Sequence, residues 1–148
     1  MNKNIIKKYG NMDCTFCNIN DFIFKDKYSG AFLDNKPLFK GHILLMPLTH
    51  YNNIFDTPYE TIKKLYGNAK ILSTALKKAL NCDGILIINN NVISQSVNHY
   101  HIHIIPRNKN DHLRGFMWPR EKYKDDDEKN GYKNRIINAI GELHEDHI

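Results

Sequence analysis

The chain has 148 residues, enough for one ordinary domain that buries its own core and needs no disulfide framework to fold. With 41% hydrophobic and 25% charged residues its composition is globular rather than disordered, and no apolar run approaches the roughly 18 residues of a membrane span. The formal charge of +5 is spread over scattered basic residues rather than a stripe, which argues against nucleic acid as a partner.

Lys, Asn and Ile number 17, 19 and 19, a bias that strips any single Lys or Asn of weight as chemical evidence. The run Asn89-Asn90-Asn91 is discounted on this ground. The opening Met1-Asn-Lys-Asn-Ile-Ile-Lys-Lys-Tyr-Gly10 lacks the apolar core and small-residue cleavage site of a secretory signal, so a cytoplasmic protein is expected.

In chain order, residues 1–12 read as a polar, basic lead-in. Phe22-Ile-Phe24 and Ala31-Phe-Leu33 are β-favouring runs split by Tyr28-Ser-Gly30, which predicts a hairpin. His42-Ile-Leu-Leu-Met-Pro47 is a third strand, ended by proline. From Pro58 to Leu80 the apolar residues Ile62, Leu65, Tyr66, Ala69, Leu72, Leu76, Ala79 and Leu80 recur at three and four. This predicts the longest helix, with Thr57 as N-cap and Pro58 in its first position. Gly84-Ile-Leu-Ile-Ile88 reads as a central strand and Tyr100–Ile105 as another. Arg114 to Lys129 is mixed charge around Trp118-Pro119, and its acidic run Asp125–Glu128 reads as solvated surface. A short helix is expected near Arg135 to His144. The pattern is α+β with a mainly antiparallel sheet.

Two constellations carry chemistry. In His99-Tyr-His101-Ile-His103 the histidines fall on one face of a strand at about 7 Å steps, with Tyr100 and Ile102 on the other. Three imidazoles in a row pack poorly because each needs polar partners. A solvated edge strand and a His-x-His metal pair are alternatives. The preceding Gln95-Ser96 supplies amide and hydroxyl donors beside the imidazoles, and donors with histidines suit a phosphate. The second constellation is Cys14-Thr-Phe-Cys17. Its spacing serves a zinc half-site, a redox pair or two small buried residues, and the spacing leaves these open.

The segment Gln95-Ser-Val-Asn-His99-Tyr-His101-Ile-His103-Ile-Ile-Pro-Arg107 resembles the signature of the histidine triad (HIT) nucleotide-binding family. Cys14-Thr-Phe-Cys17-Asn-Ile19 is similar to the opening of its bacterial and archaeal branch. Ala31-Phe-Leu-Asp34 and Gly41-His-Ile-Leu-Leu-Met-Pro-Leu-Thr-His50 resemble the strand pair that follows. The resemblance spans residues 13–107 as a nucleotide-binding core and leaves 108–148 as a C-terminal extension expected to pack on it.

It implies a five-stranded antiparallel sheet with two helices, paired into a two-fold homodimer. It implies action on a purine nucleotide, at the α-phosphate of an AMP-X compound, with His101 as nucleophile and no catalytic metal. His103 then binds phosphate oxygens, and Gln95 and Ser96 bracket the phosphate and leaving group. Asp34 corresponds to the residue that holds the ribose hydroxyls, a role that competes with capping the turn before Pro37. Phe16, Ile19 and Phe32 correspond to the purine pocket and Asn89 to a polar neighbour of the phosphate. Cys14, Cys17, His50 and His99 correspond to the ligands of a structural zinc ion, while Cys82 is expected as a buried thiol. A dinucleoside polyphosphate phosphorylase and a nucleotide-binding regulator are the alternative functions. Ser94 stands where relatives carry glycine, which implies a different path for the phosphate loop.

Overall fold

A computed structural model describes residues 13–113 and 120–145. The lead-in 1–12, together with Arg114, Trp118 and Pro119, lies outside the described residues. The chain divides into two compact units, one closing at Asp111 and the other opening at His112.

The first unit holds five strands: β1 (Phe24–Lys25), β2 (Ser29–Leu33), β3 (Ile43–Pro47), β4 (Gly84–Ile88) and β5 (Ile102–Arg107). They form one sheet in the order β1-β2-β3-β5-β4, and every neighbouring pair is antiparallel. Helix α1 (Tyr59–Leu80) covers one face. With α2 (Asp126–Glu145) in the second unit, this is the expected α+β fold of five antiparallel strands and two helices.

Alternation explains why β3 is apolar throughout. Ile43 and Leu45 join Ala31, Tyr100, Ile102 and Ile104 against Leu65, Ala69, Leu72 and Leu76 of α1. Leu44 and Met46 point to the opposite face, where Phe32, Cys14 and Phe16 cover them. A strand buried on both faces needs no polar positions. Each fully buried Leu or Ile contributes roughly 1.5–3 kcal/mol, so the two layers hold the sheet as a rigid platform.

Several expected boundaries shift for local reasons. The Asp26 carboxylate accepts the amides of Tyr28 and Ser29 at 2.8 and 2.7 Å, so the hairpin turns there and β2 already begins at Ser29. Gly30 lies inside that strand because the Phe22 ring packs over it; a Cβ would sit 2.4 Å from Phe22 Cε1. Thr57 does not cap α1. Its hydroxyl donates to the Asn53 carbonyl at 2.7 Å, Pro58 takes the cap position and helical residues start at Tyr59.

β4 is not central. It pairs with β5 alone among the described strands, and Ile87 is 42% exposed on this outer edge. The terminal helix starts well before Arg135: Asp125 Oδ1 accepts the Glu128 amide at 2.8 Å, while Glu128 Oε2 accepts the Lys124 amide at 2.6 Å. This reciprocal cap satisfies orphan amides and places the acidic run at the positive end of the helix dipole, still exposed to solvent.

Candidate functional site

β5 begins at Ile102, so His99 and His101 lie on its approach rather than within the ladder. The Tyr100 amide donates to the Tyr51 carbonyl at 2.7 Å instead of to a neighbouring strand. Alternation nevertheless persists, with Tyr100, Ile102 and Ile104 in the core under α1. His99 is 0% and His101 2% exposed, and β5 runs between β3 and β4, which removes the solvated edge-strand reading.

Heavy-atom geometry fixes where the imidazole protons reside. His101 Nδ1 lies 2.6 Å from the His99 carbonyl, which only accepts; Nδ1 therefore carries the proton and Nε2 the lone pair. His42 Nδ1 accepts the Leu38 amide at 3.2 Å, so His42 Nε2 carries the proton and donates to His103 Nδ1 at 2.9 Å. His103 in turn keeps its proton on Nε2. The His101 and His103 rings meet edge to face, with centroids 4.8 Å apart. A lone-pair nitrogen thus stands beside an N–H donor, the pairing that attack on a phosphate requires.

Burial keeps these rings neutral. Desolvation holds His101 below the usual imidazole range, partly opposed by the His99 carbonyl. It pushes His103 down to about 4, helped by His101 and His42. His42 is also lowered by burial, against the pull of Asp34. The sequence marks His42 only as the start of a strand. Its signal was a polar residue beside Gly41 at the head of an apolar run, which periodicity alone passes over.

Of the remaining polar residues, Asp34 and Asn89 reach these histidines, whereas Gln95 and Ser96 lie on the preceding loop, against Asn52 and the Cys/His cluster. Asp34 Oδ1 accepts the Lys36 amide at 2.8 Å and Oδ2 lies 3.6 Å from His42 Nδ1, so one carboxylate caps the turn and faces the histidines. Asn89 Nδ2 donates to the His101 carbonyl at 2.7 Å. Gln95 Oε1 accepts the Val92 amide at 3.0 Å, and Gln95 Nε2 donates to the Asn52 carbonyl. Ser96 lines a polar cleft of about 250 Å³ together with Asp13, Thr15, His50, Asn52 and Asn98. Ser94 adopts φ 60° and Val92 φ 71°. The loop at Ser94 thus runs through the left-handed region where glycine is at ease, and a serine there carries strain.

The three apolar residues assigned to a purine pocket do not share one surface. Phe16 stands edge-on to His101 with centroids 5.0 Å apart and packs at 5.2 Å on Phe32. Phe16 and Ile19 line a cleft of about 240 Å³ with Phe22, Lys25, Met46 and Leu48. Phe32 is buried behind them at 6% exposure.

Cys14, Cys17, His50 and His99 converge, their ligand atoms all within 4.8 Å of one another. His99 Nδ1 lies 3.5 Å from both sulfurs, and His50 Nδ1 lies 3.4 Å from Cys17 Sγ. A tetrahedral zinc ion with ordinary Zn–S and Zn–N bonds spaces its sulfur and nitrogen ligands about 3.5 Å apart. Both rings aim Nδ1 inward while Nε2 is held outside, at 2.9 Å from the Pro47 carbonyl for His99 and 3.3 Å from Asn52 Oδ1 for His50. Such outer partners set the tautomer a metal ligand needs. Burial pushes His99 down to about 4, so it is neutral and ready to ligate. The donor set fits the ion. Cys82, by contrast, is buried away from both sites as a free thiol.

A five-stranded antiparallel platform carrying an alternating histidine triad defines a histidine triad domain. The HIT domain family profile matches residues 17–110, and the chain belongs to the HIT family. An uncharacterised HIT-like protein of Methanocaldococcus jannaschii is 39% identical over 66% of this chain and 81% of its own. The adenosine 5'-monophosphoramidase of Saccharomyces cerevisiae is 34% identical over 74% of this chain and 72% of its own. The bis(5'-adenosyl)-triphosphatase of Dictyostelium discoideum is 33% identical over 62% of each chain. Among solved structures, a HIT family protein from Bacillus anthracis superposes with a TM-score of 0.78 at 27% identity, covering 86% of this chain and 97% of that one. A Zn-bound histidine triad family protein from Mycobacterium smegmatis does so at 0.66 and 29%, covering 81% and 91%. No helix among the described residues is long and apolar enough to cross a membrane.

Proposed function

We propose that the chain is a purine nucleotidyl hydrolase or transferase acting at the α-phosphate of AMP-X compounds. X is the amine of a phosphoramidate or the second nucleotide of a dinucleoside polyphosphate. The observation that carries this reading is the hydrogen bond from His101 Nδ1 to the His99 carbonyl, which leaves a buried, neutral Nε2 with its lone pair free.

In the reading, Nε2 attacks phosphorus and the P–X bond breaks. X leaves with the bonding electrons and takes up a proton. Water then attacks the phosphorus of the nucleotidyl-His101 intermediate, releasing AMP and restoring the ring. Charge on the non-bridging oxygens is met by His103 Nε2–H and by Gln95 and Ser96, so fixed donors do the work and no catalytic metal takes part. Asp34 accepts from the ribose hydroxyls, and Phe16 and Ile19 form the apolar wall beside the base, with Phe32 packed behind Phe16. Asn89 steadies the nucleophile through the His101 carbonyl at the edge of the phosphate site. The ligand set Cys14, Cys17, His50 and His99 is assigned to a structural zinc ion, which when bound crosslinks the N-terminal loop to the two loops that carry the histidines. The two similar chains named for phosphoramidate and triphosphate chemistry support the reading. A homodimer that continues the sheet across β4 belongs to it, supported by the outer-edge position of that strand.

The test is AMP release from adenosine phosphoramidate and from diadenosine tetraphosphate, beside His101→Ala and with or without inorganic phosphate. Turnover abolished in the variant is expected. Phosphate-dependent release of a nucleoside diphosphate would instead identify a phosphorylase, and saturable AMP binding without turnover a regulator.

A further inference from the structure

The loop after β3 stands between the Cys/His cluster and the phosphate loop, and it is bonded to both. Asn52 Oδ1 lies 3.3 Å from His50 Nε2, on the side of the ring away from the sulfurs. Asn52 Nδ2 and its own amide donate to Asp56 Oδ2 at 3.0 and 3.1 Å, and the Asn53 amide donates to Asp56 Oδ1 at 3.0 Å. With both ends of its side chain engaged, Asn52 presents its carbonyl to Gln95 Nε2. Two residues on, the Ile54 amide donates to Asn91 Oδ1 at 2.7 Å. Asn91 Nδ2 donates to Asn89 Oδ1 at 2.6 Å, and Asn89 holds the His101 carbonyl. The loop therefore meets the phosphate loop at two points, at Gln95 directly and at Asn91, one side chain away from Asn89.

We propose that Asn52 is a positioning residue: it relays the placement of His50 to Gln95, so that the Cys/His centre sets the register of the phosphate loop as well as tying the fold together. The proposal rests on the reading of Gln95 as a phosphate donor. Asn52 touches neither substrate nor reacting atoms and acts through the carbonyl it holds still. Misplacing a donor by a fraction of an ångström costs rate more than affinity.

The experiment compares zinc-loaded wild type, Asn52→Ala, Gln95→Ala and the double variant on adenosine phosphoramidate. The kcat of Asn52→Ala is expected to fall about tenfold with KM within about twofold and zinc content unchanged. The double variant is expected to be no slower than Gln95→Ala alone, because the relay has no receiver. In parallel, the side-chain amide signals of Gln95 in a 15N spectrum, assigned by their absence in Gln95→Ala, are expected to move in Asn52→Ala and on zinc removal. Backbone signals of α1 are expected to stay in place. Fully multiplicative losses in the double variant, zinc loss in Asn52→Ala or unmoved Gln95 amides would each overturn the proposal. Absence of wild-type turnover would overturn the proposed function while the amide signals still decide the relay.

Discussion

His42 Nε2 lies 2.9 Å from His103 Nδ1, and the Leu38 amide on the far side of His42 decides which nitrogen holds the proton. A fourth histidine thereby aims a triad histidine. Its ring is buried at 5% exposure, so the bond is made in a medium where water does not compete. The sign of the whole relay, from backbone amide to the outward N–H of His103, follows from donors and acceptors alone.

Replacing His42 with Phe keeps the ring volume and removes the donor. His103 then loses the bond that selects its tautomer, and kcat on adenosine phosphoramidate is expected to fall roughly 10²-fold, the scale of one lost transition-state donor. Steady-state kinetics check this. An unchanged kcat would separate His42 from the chemistry.

The proposed zinc site predicts a different signature. Cys14→Ser is expected to lose stoichiometric zinc by elemental analysis and to lower the thermal midpoint, since the N-terminal loop that seats Phe16 against His101 is held through that sulfur. Full zinc content in the variant would contradict the assignment.

Strain in the loop at residues 92–94 is directly measurable. Val92 at φ 71° is β-branched and 63% exposed, so glycine there removes a steric cost without opening the core. Val92→Gly is expected to be more stable by about 1 kcal/mol, and Ser94→Gly by somewhat less. Denaturant midpoints that fall in both variants would refute the strain.

Stability should depend on pH through His103. Its pKa of about 4 in the folded chain lies below the ordinary histidine value of 6.5, with His101, His42 and Asp34 facing it. Above pH 6.5 both states are neutral and the contribution is complete. Between pH 6.5 and 4 the unfolded chain binds a proton that the folded chain refuses, so stability falls as pH falls and levels off below 4. His103→Gln is expected to reduce that slope in urea titrations at stepped pH, with the remainder carried by His99, His101 and His42, which burial also holds below the ordinary range.

Sequence and structure divide along physical lines. The period of two in His99, His101 and His103, the 3.6-residue repeat of α1 and the Cys14–Cys17 spacing are local properties, and local geometry follows from them directly. They were enough to place the strands around the site, while the family and the set Cys14, Cys17, His50 and His99 came from the resemblance of these segments to the histidine triad signature, and the fold brings those four together. What they did not contain was partnership. The run Gly84–Ile88 is apolar whether a strand is central or outermost, and only the ladder with β5 places it at the edge. His42 and His103 stand 61 residues apart, and no pattern along the chain announces that one donates to the other. Asn89, Asn91 and Asn52 are lost in a composition rich in asparagine until the fold shows which carbonyls and amides they meet. The sequence by itself determined the row of three histidines and the cysteine pair, because alternation and short spacings act over a few residues. Tertiary structure decided proton positions, tautomers and the relay between loops, because those depend on which buried donor finds which acceptor across the folded chain.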